Sequence, residues 1–420
     1  MANLTVYATP KPADVARAHR RDNSIGLLLY GSGSPDLPGV GPHLETQARK
    51  MLLGPPSVRA WDFLSLALGV FAADRFVVRD GSPDGWTRVI GLDIALREPD
   101  PWRPFLPKLS EALRFLTGDV WHVSVRDGGK APPAIPTRRH DRDALTLFSG
   151  GLDSFLGALQ LKAAGRRPFL VSQGSPKEVQ YQVELARALQ LDGHRFEGRA
   201  SELWRPPYEG STRGRSILFF AYGALAASAS GIDEVWVPEN ALIAVNPPFT
   251  RRRVGALSTR TTHPHFIRLI NDIWQSAGLN ARLVNPFFAS AKGEMMTAAN
   301  DPRLSQLASA SYSCGKGKRI NMHCGRCVPC LIRRAAFHAS VVTDHTRYFY
   351  ELQRQARADD VLAARQAVAR LARYDDKQFE AWVRSTGPLP EDPQIRAQTV
   401  DAVKRGLAEL RDLFNSMRWR

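Results

Sequence analysis

Two serines, two glycines and an aspartate stand at a spacing that suits the binding of phosphate. They follow an apolar run that we predict to be a buried strand, and they lead into a predicted helix. Glycines let the backbone approach a ligand, and the first amides of a helix have no intrahelical partner. The sequence therefore predicts an anion-binding loop of seven residues, namely Phe148, Ser149, Gly150, Gly151, Leu152, Asp153 and Ser154.

The aspartate of this loop indicates a cation. A carboxylate at Asp153 would repel phosphate unless a cation lay between them, and Mg²⁺ is the natural choice. The spacing Ser-Gly-Gly-x-Asp-Ser also differs from the Gly-x4-Gly-Lys-Ser/Thr loop of the common NTPases. The alternative is an ordinary strand-to-helix turn in which Ser154 is a cap. With all six positions present, nucleotide chemistry is the favoured interpretation.

The four cysteines of the chain form a second candidate site. Their spacing is C-x9-C-x2-C-x2-C, at Cys314, Cys324, Cys327 and Cys330. Four thiolates complete the tetrahedral coordination of Zn²⁺ and leave no open position for catalysis. We therefore expect a structural zinc, ahead of a catalytic zinc or an iron–sulfur cluster. Cysteines this few and this clustered do not indicate a secreted disulfide framework.

The formal net charge is +16, from 57 lysines and arginines against 41 aspartates and glutamates. Such a charge is compatible with nucleic acid, with an acidic partner protein, or with arginines spread over solvated helix faces, so a nucleic-acid partner stays open. We find no apolar run long enough for a membrane span and expect no membrane association. The first residues lack the pattern of an export signal, so we expect a cytoplasmic protein.

The pattern of elements predicts three regions and a linker. Residues 1–127 read as an α+β domain without a catalytic constellation, and residues 128–142 as a linker rich in glycine and proline. From residue 143 to 340, strands and helices alternate, which predicts a parallel sheet covered on both faces. Residues 341–420 read as a helical extension, whose apolar stripes we expect to pack on the rest of the protein rather than on a partner.

Ligands of parallel sheets bind beyond the carboxyl ends of the strands. Both the loop at Ser149 and the segment Glu239-Asn240 follow predicted strands. We therefore expect the two segments to face one ligand site.

The loop and the distant cysteine pattern together resemble a known family. The loop is similar to the pyrophosphate loop (PP-loop) of enzymes that split ATP into AMP and pyrophosphate. Combined with the cysteines, residues 143–340 resemble QueC, the 7-cyano-7-deazaguanine synthase of queuosine biosynthesis. The resemblance implies a Rossmann-like, HUP-type PP-loop domain that uses ATP, Mg²⁺ and Zn²⁺. It also implies adenylation of the carboxylate of 7-carboxy-7-deazaguanine, reaction with ammonia, and a second ATP-dependent step to the nitrile.

Further positions can be placed by the same resemblance. Gly214-Arg215-Ser216 looks like the family's Gly-Arg-Asn, with serine in place of asparagine, and Lys292 looks like a family lysine. Arg215 and Lys292 could then stabilise the departing pyrophosphate or the adenylate, while Ser149, Asp153 and Ser154 act on the phosphates.

The expected base pocket departs from the family. In the family, a Tyr-Pro-Asp-Cys-Arg segment holds the base, and its aspartate faces the base. The stretch at Thr261, Thr262 and His263 looks like the corresponding segment of this chain, and it lacks that aspartate. We expect Glu239, beside Asn240, to accept from a guanine-like edge instead. A solvated loop carboxylate is the alternative.

The regions outside residues 143–340 also depart from plain QueC. The enlarged form resembles the QatC family, the QueC-like component of the Qat anti-phage defence system. This resemblance implies partner subunits from the same system. It predicts an AMP- and pyrophosphate-forming carbon–nitrogen ligase that transfers a deazaguanine acyl group to ammonia or to a partner protein. The alternatives are the queuosine-pathway synthase and a non-catalytic nucleotide- or partner-binding subunit.

Overall fold

The computed structural model describes residues 4–18, 23–34, 37–174, 176–200, 209–210, 213–250, 260–317 and 322–419. Across this part of the chain, ten strands form two five-stranded sheets. The strands are β1 (Leu4–Thr9), β2 (Ser24–Leu29), β3 (Gly39–Val40), β4 (Val89–Leu96), β5 (Val120–Asp127), β6 (Ala144–Leu147), β7 (Pro168–Gln173), β8 (Arg195–Gly198), β9 (Glu234–Trp236) and β10 (Arg282–Val284).

Helices connect these strands and follow the second sheet. They are α1 (Pro12–Ala18), α2 (Leu44–Met51), α3 (Val58–Phe76), α4 (Leu106–Thr117), α5 (Leu152–Ala163), α6 (Pro176–Ala188), α7 (Arg215–Ser230), α8 (Ala241–Val245), α9 (Pro264–Ser276), α10 (Lys292–Ala298), α11 (Leu304–Ala310), α12 (Val328–Ser340), α13 (Asp359–Leu371), α14 (Asp376–Arg384) and α15 (Pro393–Ser416).

The N-terminal sheet corrects the prediction of an α+β region. Its order is β3-β2-β1-β4-β5, and every pairing in it is parallel. Parallel neighbours need a crossover connection, and helices supply it here between β1 and β2, between β3 and β4, and between β4 and β5. This region is therefore a second α/β sheet rather than an α+β domain.

The second sheet confirms the predicted parallel α/β fold of the central region. Its order is β10-β9-β6-β7-β8, again with parallel pairings only. The chain runs outward from β6 through β7 to β8, and β9 and β10 are then added on the other side of β6. The order reverses between β6 and β9, and such a switch point opens a crevice beyond the carboxyl ends of the two strands.

The two sheets share one hydrophobic core, in which α3 packs on α7. Helix α3 is buried nearly all round, as expected for a helix that is apolar on every side. The C-terminal helices α13, α14 and α15 form a second core with α8 and α12, so their apolar stripes do pack on the rest of the protein. None of the described helices has the length and apolarity needed to cross a bilayer.

Candidate functional site

The phosphate-type loop lies between β6 and α5, at the switch point. Gly150 has φ of +80°, a conformation that glycine adopts without strain. The hydroxyls of Ser149 and Ser154 lie 3.2 Å apart, and the Gly151 amide donates to Ser149 Oγ at 3.3 Å. The loop therefore has the shape that its sequence predicts, with hydroxyls and the first turn of α5 beside one another.

Residues remote in sequence hold the loop in place. Gln182 Nε2 donates to the carbonyl of Ser149 at 3.2 Å, and the Tyr312 amide donates to the carbonyl of Gly150 at 2.9 Å. Ser313 Oγ accepts from the Leu152 amide at 3.2 Å. Sequence reasoning missed these supports. The one available signal was that Tyr312 and Ser313 directly precede Cys314, which could have indicated that these two residues lie near a site.

Asp153 is the centre of a buried polar cluster. Lys292 Nζ lies 3.1 Å from its Oδ1, and Asn240 Nδ2 donates to its Oδ2 at 2.8 Å. The same Asn240 Nδ2 donates to Glu239 Oε1 at 3.2 Å, which brings a second carboxyl beside Asp153. Among the described residues, Asp153 Oδ1 has no hydrogen-bond partner besides its ion pair with Lys292. An oxygen with spare acceptor capacity beside a phosphate loop suits a hard cation such as Mg²⁺.

The pKa values of the two carboxyls in this cluster are shifted in opposite directions. Burial, and then the neighbouring charge of Asp153, raise the pKa of Glu239 well above its ordinary value. Burial would also raise the pKa of Asp153, but Lys292 and hydrogen bonds from Glu239 and Asn240 outweigh it and lower that pKa. The pair therefore holds an ionised Asp153 against a protonated Glu239.

A cavity of about 570 Å³ opens onto this cluster. Ser149, Asp153, Glu239 and Lys292 all line it, and the same cavity extends to Cys314 and Cys327. Its size is that of an ordinary small-molecule site. Tertiary folding thus joins the loop, the acidic pair and the cysteine cluster in one cleft.

A second lobe of about 300 Å³ adjoins this cavity and shares Ser149 and Glu178 with it. We call it the arginine lobe. The described residues that line it are Leu116, Ser149, Gln173, Glu178, Arg213, Arg215, Ser216, Phe219, Arg260 and Thr261. Arg215 is the first residue of α7 and pairs with Glu178 at 3.0 Å. Thr261 Oγ1 and Ser216 Oγ lie 2.5 Å apart.

Several predicted site residues have positions that limit their role. Phe148 and Leu152 bury their side chains in the core, so only their backbone can meet a ligand. Asn240 is buried and caps α8, so it positions Asp153 rather than lining the cleft. Thr262 lines a separate cavity of about 250 Å³ beside α9.

His263 lies outside the cleft as well. It is fully buried as the cap of α9, where its Nδ1 accepts from the His265 amide at 3.2 Å. Its ring packs edge-on against Phe115. Burial, and then Arg260, lower the pKa of His263 to about 3, so the ring is neutral.

The cysteine cluster could bind zinc. All four thiols are buried, none is in a disulfide, and their sulfurs lie within 4.8 Å of one another. Two of the S···S distances are 3.9 Å, and a tetrahedral zinc with bonds of about 2.3 Å needs separations of roughly 3.8 Å. Backbone amides of Gly317 and Cys324 also point at Cys314 Sγ, at 3.0 and 3.2 Å. The arrangement suits a closed structural site.

His323 stands next to this cluster without facing it. Its Nε2 accepts from the Ser313 amide at 3.2 Å. Burial, and then Arg333, lower the pKa of His323 to about 4, so it is a neutral acceptor. Since Ser313 also contacts the loop, His323 links the cysteine segment to the phosphate-type loop.

Comparison with known proteins gives one family. Residues 261–341 match the family described as "Queuosine biosynthesis protein QueC". The chain is 26% identical over 239 residues to the 7-cyano-7-deazaguanine synthase of Paracoccus denitrificans, covering 49% of this chain and 92% of that protein. It is 28% identical over 231 residues to the synthase of Ralstonia nicotianae, covering 49% of this chain and 98% of that protein. The matched part of the chain is therefore QueC-like, and about half of the chain lies outside these matches.

Proposed function

We propose that this QueC-like chain is an ATP-dependent carbon–nitrogen ligase that acts on a 7-carboxy-7-deazaguanine-type substrate in an anti-phage defence system. The observation that carries the proposal is the single cleft in which the loop at Ser149, the Asp153–Lys292 pair and Glu239 meet. The similarity to synthases named for 7-cyano-7-deazaguanine supports the substrate class. The matches cover nearly all of each synthase but only about half of this chain, and the additional half supports a role other than that of a plain synthase.

The reaction begins with activation of a carboxylate. A carboxylate oxygen of the substrate attacks the α-phosphorus of ATP, the bond to the β-phosphate oxygen breaks, and pyrophosphate leaves. Ser149, Ser154 and the amides at the start of α5 would hold the phosphates, and the proximity of the two hydroxyls supports this role. Asp153 offers the oxygen atoms that would hold Mg²⁺, which neutralises phosphate charge when bound.

The second half of the reaction transfers the acyl group. An amine attacks the carbonyl carbon of the acyl-adenylate, AMP leaves, and the amine loses a proton to solvent. Lys292 and Arg215 supply positive charge where pyrophosphate and AMP depart. No covalent enzyme intermediate is needed, so catalysis is mainly positioning of the carboxylate against the α-phosphate.

We further propose that the acceptor is an amine on a partner protein of the same system. The test incubates the chain with ATP, 7-carboxy-7-deazaguanine, and either ammonia or the product of a neighbouring gene. AMP, pyrophosphate and intact masses are then measured. A mass increase on the partner that requires ATP and the substrate supports this proposal.

The second candidate is the nitrile synthase itself, which the names of the relatives favour. Free nitrile formed with ammonia alone would support it and contradict the protein-acceptor proposal. If no substrate-dependent pyrophosphate forms with either acceptor, the chain is a non-catalytic nucleotide- or partner-binding subunit instead.

A further inference from the structure

The arginine lobe carries more positive charge than the proposed chemistry at the loop uses. Of the described residues that line it, three are arginines and one, Glu178, is a carboxylate. Glu178 is already paired with Arg215. The other two arginines, Arg213 and Arg260, come from either side of α7 in the sequence and meet in this lobe.

Arg260 is the most informative of these residues. Its Nη1 donates to the carbonyl of Phe115 at 3.0 Å, and its guanidinium lies 4.5 Å from the centre of the Phe115 ring. Burial, and then Arg213, lower the pKa of Arg260 to about 10. Among the residues that the structure describes, no carboxylate forms an ion pair with it. A partly buried cation is costly without a counter-charge, so its position in a cavity indicates an anionic ligand.

Both arginines donate hydrogen bonds to backbone carbonyls of the N-terminal region. Arg213 Nη1 donates to the carbonyl of Thr117 at 2.7 Å, and its guanidinium lies 5.3 Å from the Trp86 ring. Phe115 and Thr117 belong to the last turn of α4, whose carbonyls carry partial negative charge. Helix α4 therefore supports two neighbouring cations that would otherwise repel each other.

We propose that the arginine lobe binds a phosphate-bearing group and that the N-terminal region is required to build this site. The described residues that line the lobe include three arginines and one carboxylate, and this positive character suits a phosphate group. Ser216 and Thr261 add hydroxyl donors beside the guanidiniums. Planar guanidiniums also suit the bidentate binding of phosphate oxygens.

Two sources could supply this group. The phosphates of ATP could extend into the lobe from Ser149, which lines both parts of the cleft. Alternatively, the 7-carboxy-7-deazaguanine-type substrate could be bound as a nucleotide, which carries a phosphate of its own. The chemistry of the site is the same for both sources, and binding measurements separate them.

The test is calorimetric titration of the full chain with inorganic pyrophosphate and, separately, with guanosine 5′-monophosphate. Unphosphorylated guanosine is the comparison ligand. Arg260→Gln should weaken binding of at least one phosphate ligand on the order of tenfold or more, the usual effect of losing a charge-assisted hydrogen bond. Loss of affinity for pyrophosphate assigns the lobe to ATP phosphates. Loss of affinity for the monophosphate alone assigns it to the phosphate of a nucleotide substrate.

The matched control is Arg268→Gln, which removes one guanidinium from a half-exposed pair with Asp272 outside the lobe. It should leave both affinities unchanged. Equal affinities for Arg260→Gln and wild type, with both ligands, would overturn the proposal. Because binding is measured without turnover, this outcome is distinct from failure of the ligase assay.

A measurement on the wild-type chain covers the case in which Arg260→Gln does not fold. Phenylglyoxal modifies accessible arginines, and the modified peptides can be identified by mass spectrometry. Pyrophosphate or the monophosphate should protect Arg260 and should not protect Arg268. Equal modification of Arg260 with and without both ligands would contradict a phosphate site in the lobe.

Discussion

Asp74 Oδ2 accepts a hydrogen bond from the Gly214 amide at 2.7 Å, and this bond joins the N-terminal region to the start of α7. Gly214 directly precedes Arg215 in the cleft. Asp74 also pairs with Arg88 at 2.6 Å, and Arg88 pairs with Asp119 at 2.5 Å. All three side chains of this network are buried. The N-terminal region therefore fixes the backbone that carries one of the candidate catalytic residues.

Asp74→Ala should lower the free energy of unfolding by about 3–5 kcal/mol, because it leaves part of a buried ion network uncompensated. The measurement is urea unfolding of the full chain. The control is Asp376→Ala, which breaks an exposed pair with Lys404 and should cost less than about 1 kcal/mol. Equal effects of the two substitutions would show that the buried network does not stabilise the junction.

Asp153→Ala and Ser149→Ala should reduce substrate-dependent pyrophosphate release by at least about a hundredfold, because Ser149 would contact the phosphates and Asp153 would hold the cation that neutralises them. Circular dichroism should show folded protein in both cases. Asp192→Ala, which removes a half-exposed carboxylate 3.7 Å from Arg187 Nε, is the control and should keep wild-type activity. Release at the wild-type rate from either loop variant would make the loop assignment wrong.

Glu239→Gln should weaken 7-carboxy-7-deazaguanine binding on the order of tenfold and leave ATP binding unchanged. Glutamine resembles the protonated carboxyl that Asp153 contacts, so the loop should be undisturbed. An ionised Glu239 is needed to accept from the base. Since its pKa is raised, base binding to the wild-type chain should strengthen as the pH rises.

The measurement for Glu239 is titration with each ligand over a range of pH. If the affinity for ATP in the presence of Mg²⁺ falls as much as that for the base, Glu239 acts with Asp153 on the cation. The acceptor for the base would then have to be sought elsewhere in the cleft.

Purified protein should contain about one zinc per chain, held by Cys314, Cys324, Cys327 and Cys330. Removal of the metal with a chelator should lower the melting temperature, because binding energy at a closed site is folding energy. Elemental analysis and thermal unfolding measure the two effects. Protein without zinc, or a disulfide within the cluster, would contradict this prediction.

Glu409 predicts a pH dependence of stability. It lies on α15 and accepts from the Gly293 amide at 2.8 Å, beside Lys292 at the start of α10. Burial is the main cause that raises the pKa of Glu409 from 4.5 to about 7; the charge of Glu294 adds to it, while the Gly293 amide and Lys292 oppose it. Between these two pH values the folded state binds more protons than the unfolded state. The contribution of Glu409 to stability is thus present below pH 4.5 and is lost as the pH rises through 7.

Glu409→Gln should remove this part of the pH dependence. Because a shift of one pKa unit corresponds to about 1.36 kcal/mol, the effect on the free energy of unfolding is at most about 3 kcal/mol. Unfolding in urea at pH 5 and pH 8 measures it. Glu391→Gln, in the loop before α15, is the control. A wild-type pH profile in Glu409→Gln would show that Glu409 does not titrate in this range.

Some of these features could be predicted from the sequence because the residues that form them are neighbours along the chain. The loop from Ser149 to Ser154 is contiguous, so its glycines and hydroxyls determine its shape locally. Three of the cysteines fall within one turn and the start of α12, so spacing alone predicts a metal cluster. The alternation of strands and helices likewise predicts the parallel central sheet, because parallel neighbours need crossovers.

Only the tertiary structure decided the remainder. Asp153 lies at the start of α5, Glu239 follows β9, and Lys292 begins α10, so their convergence depends on β9 being added next to β6. The direction of the N-terminal strands was not encoded in their short apolar runs, since buried strands of either direction have the same side-chain pattern. The arginine lobe depends on the last turn of α4 lying against Arg213 and Arg260, a contact between segments about a hundred residues or more apart. Side-chain periodicity reports which face of an element is buried, and it does not report which distant element covers that face.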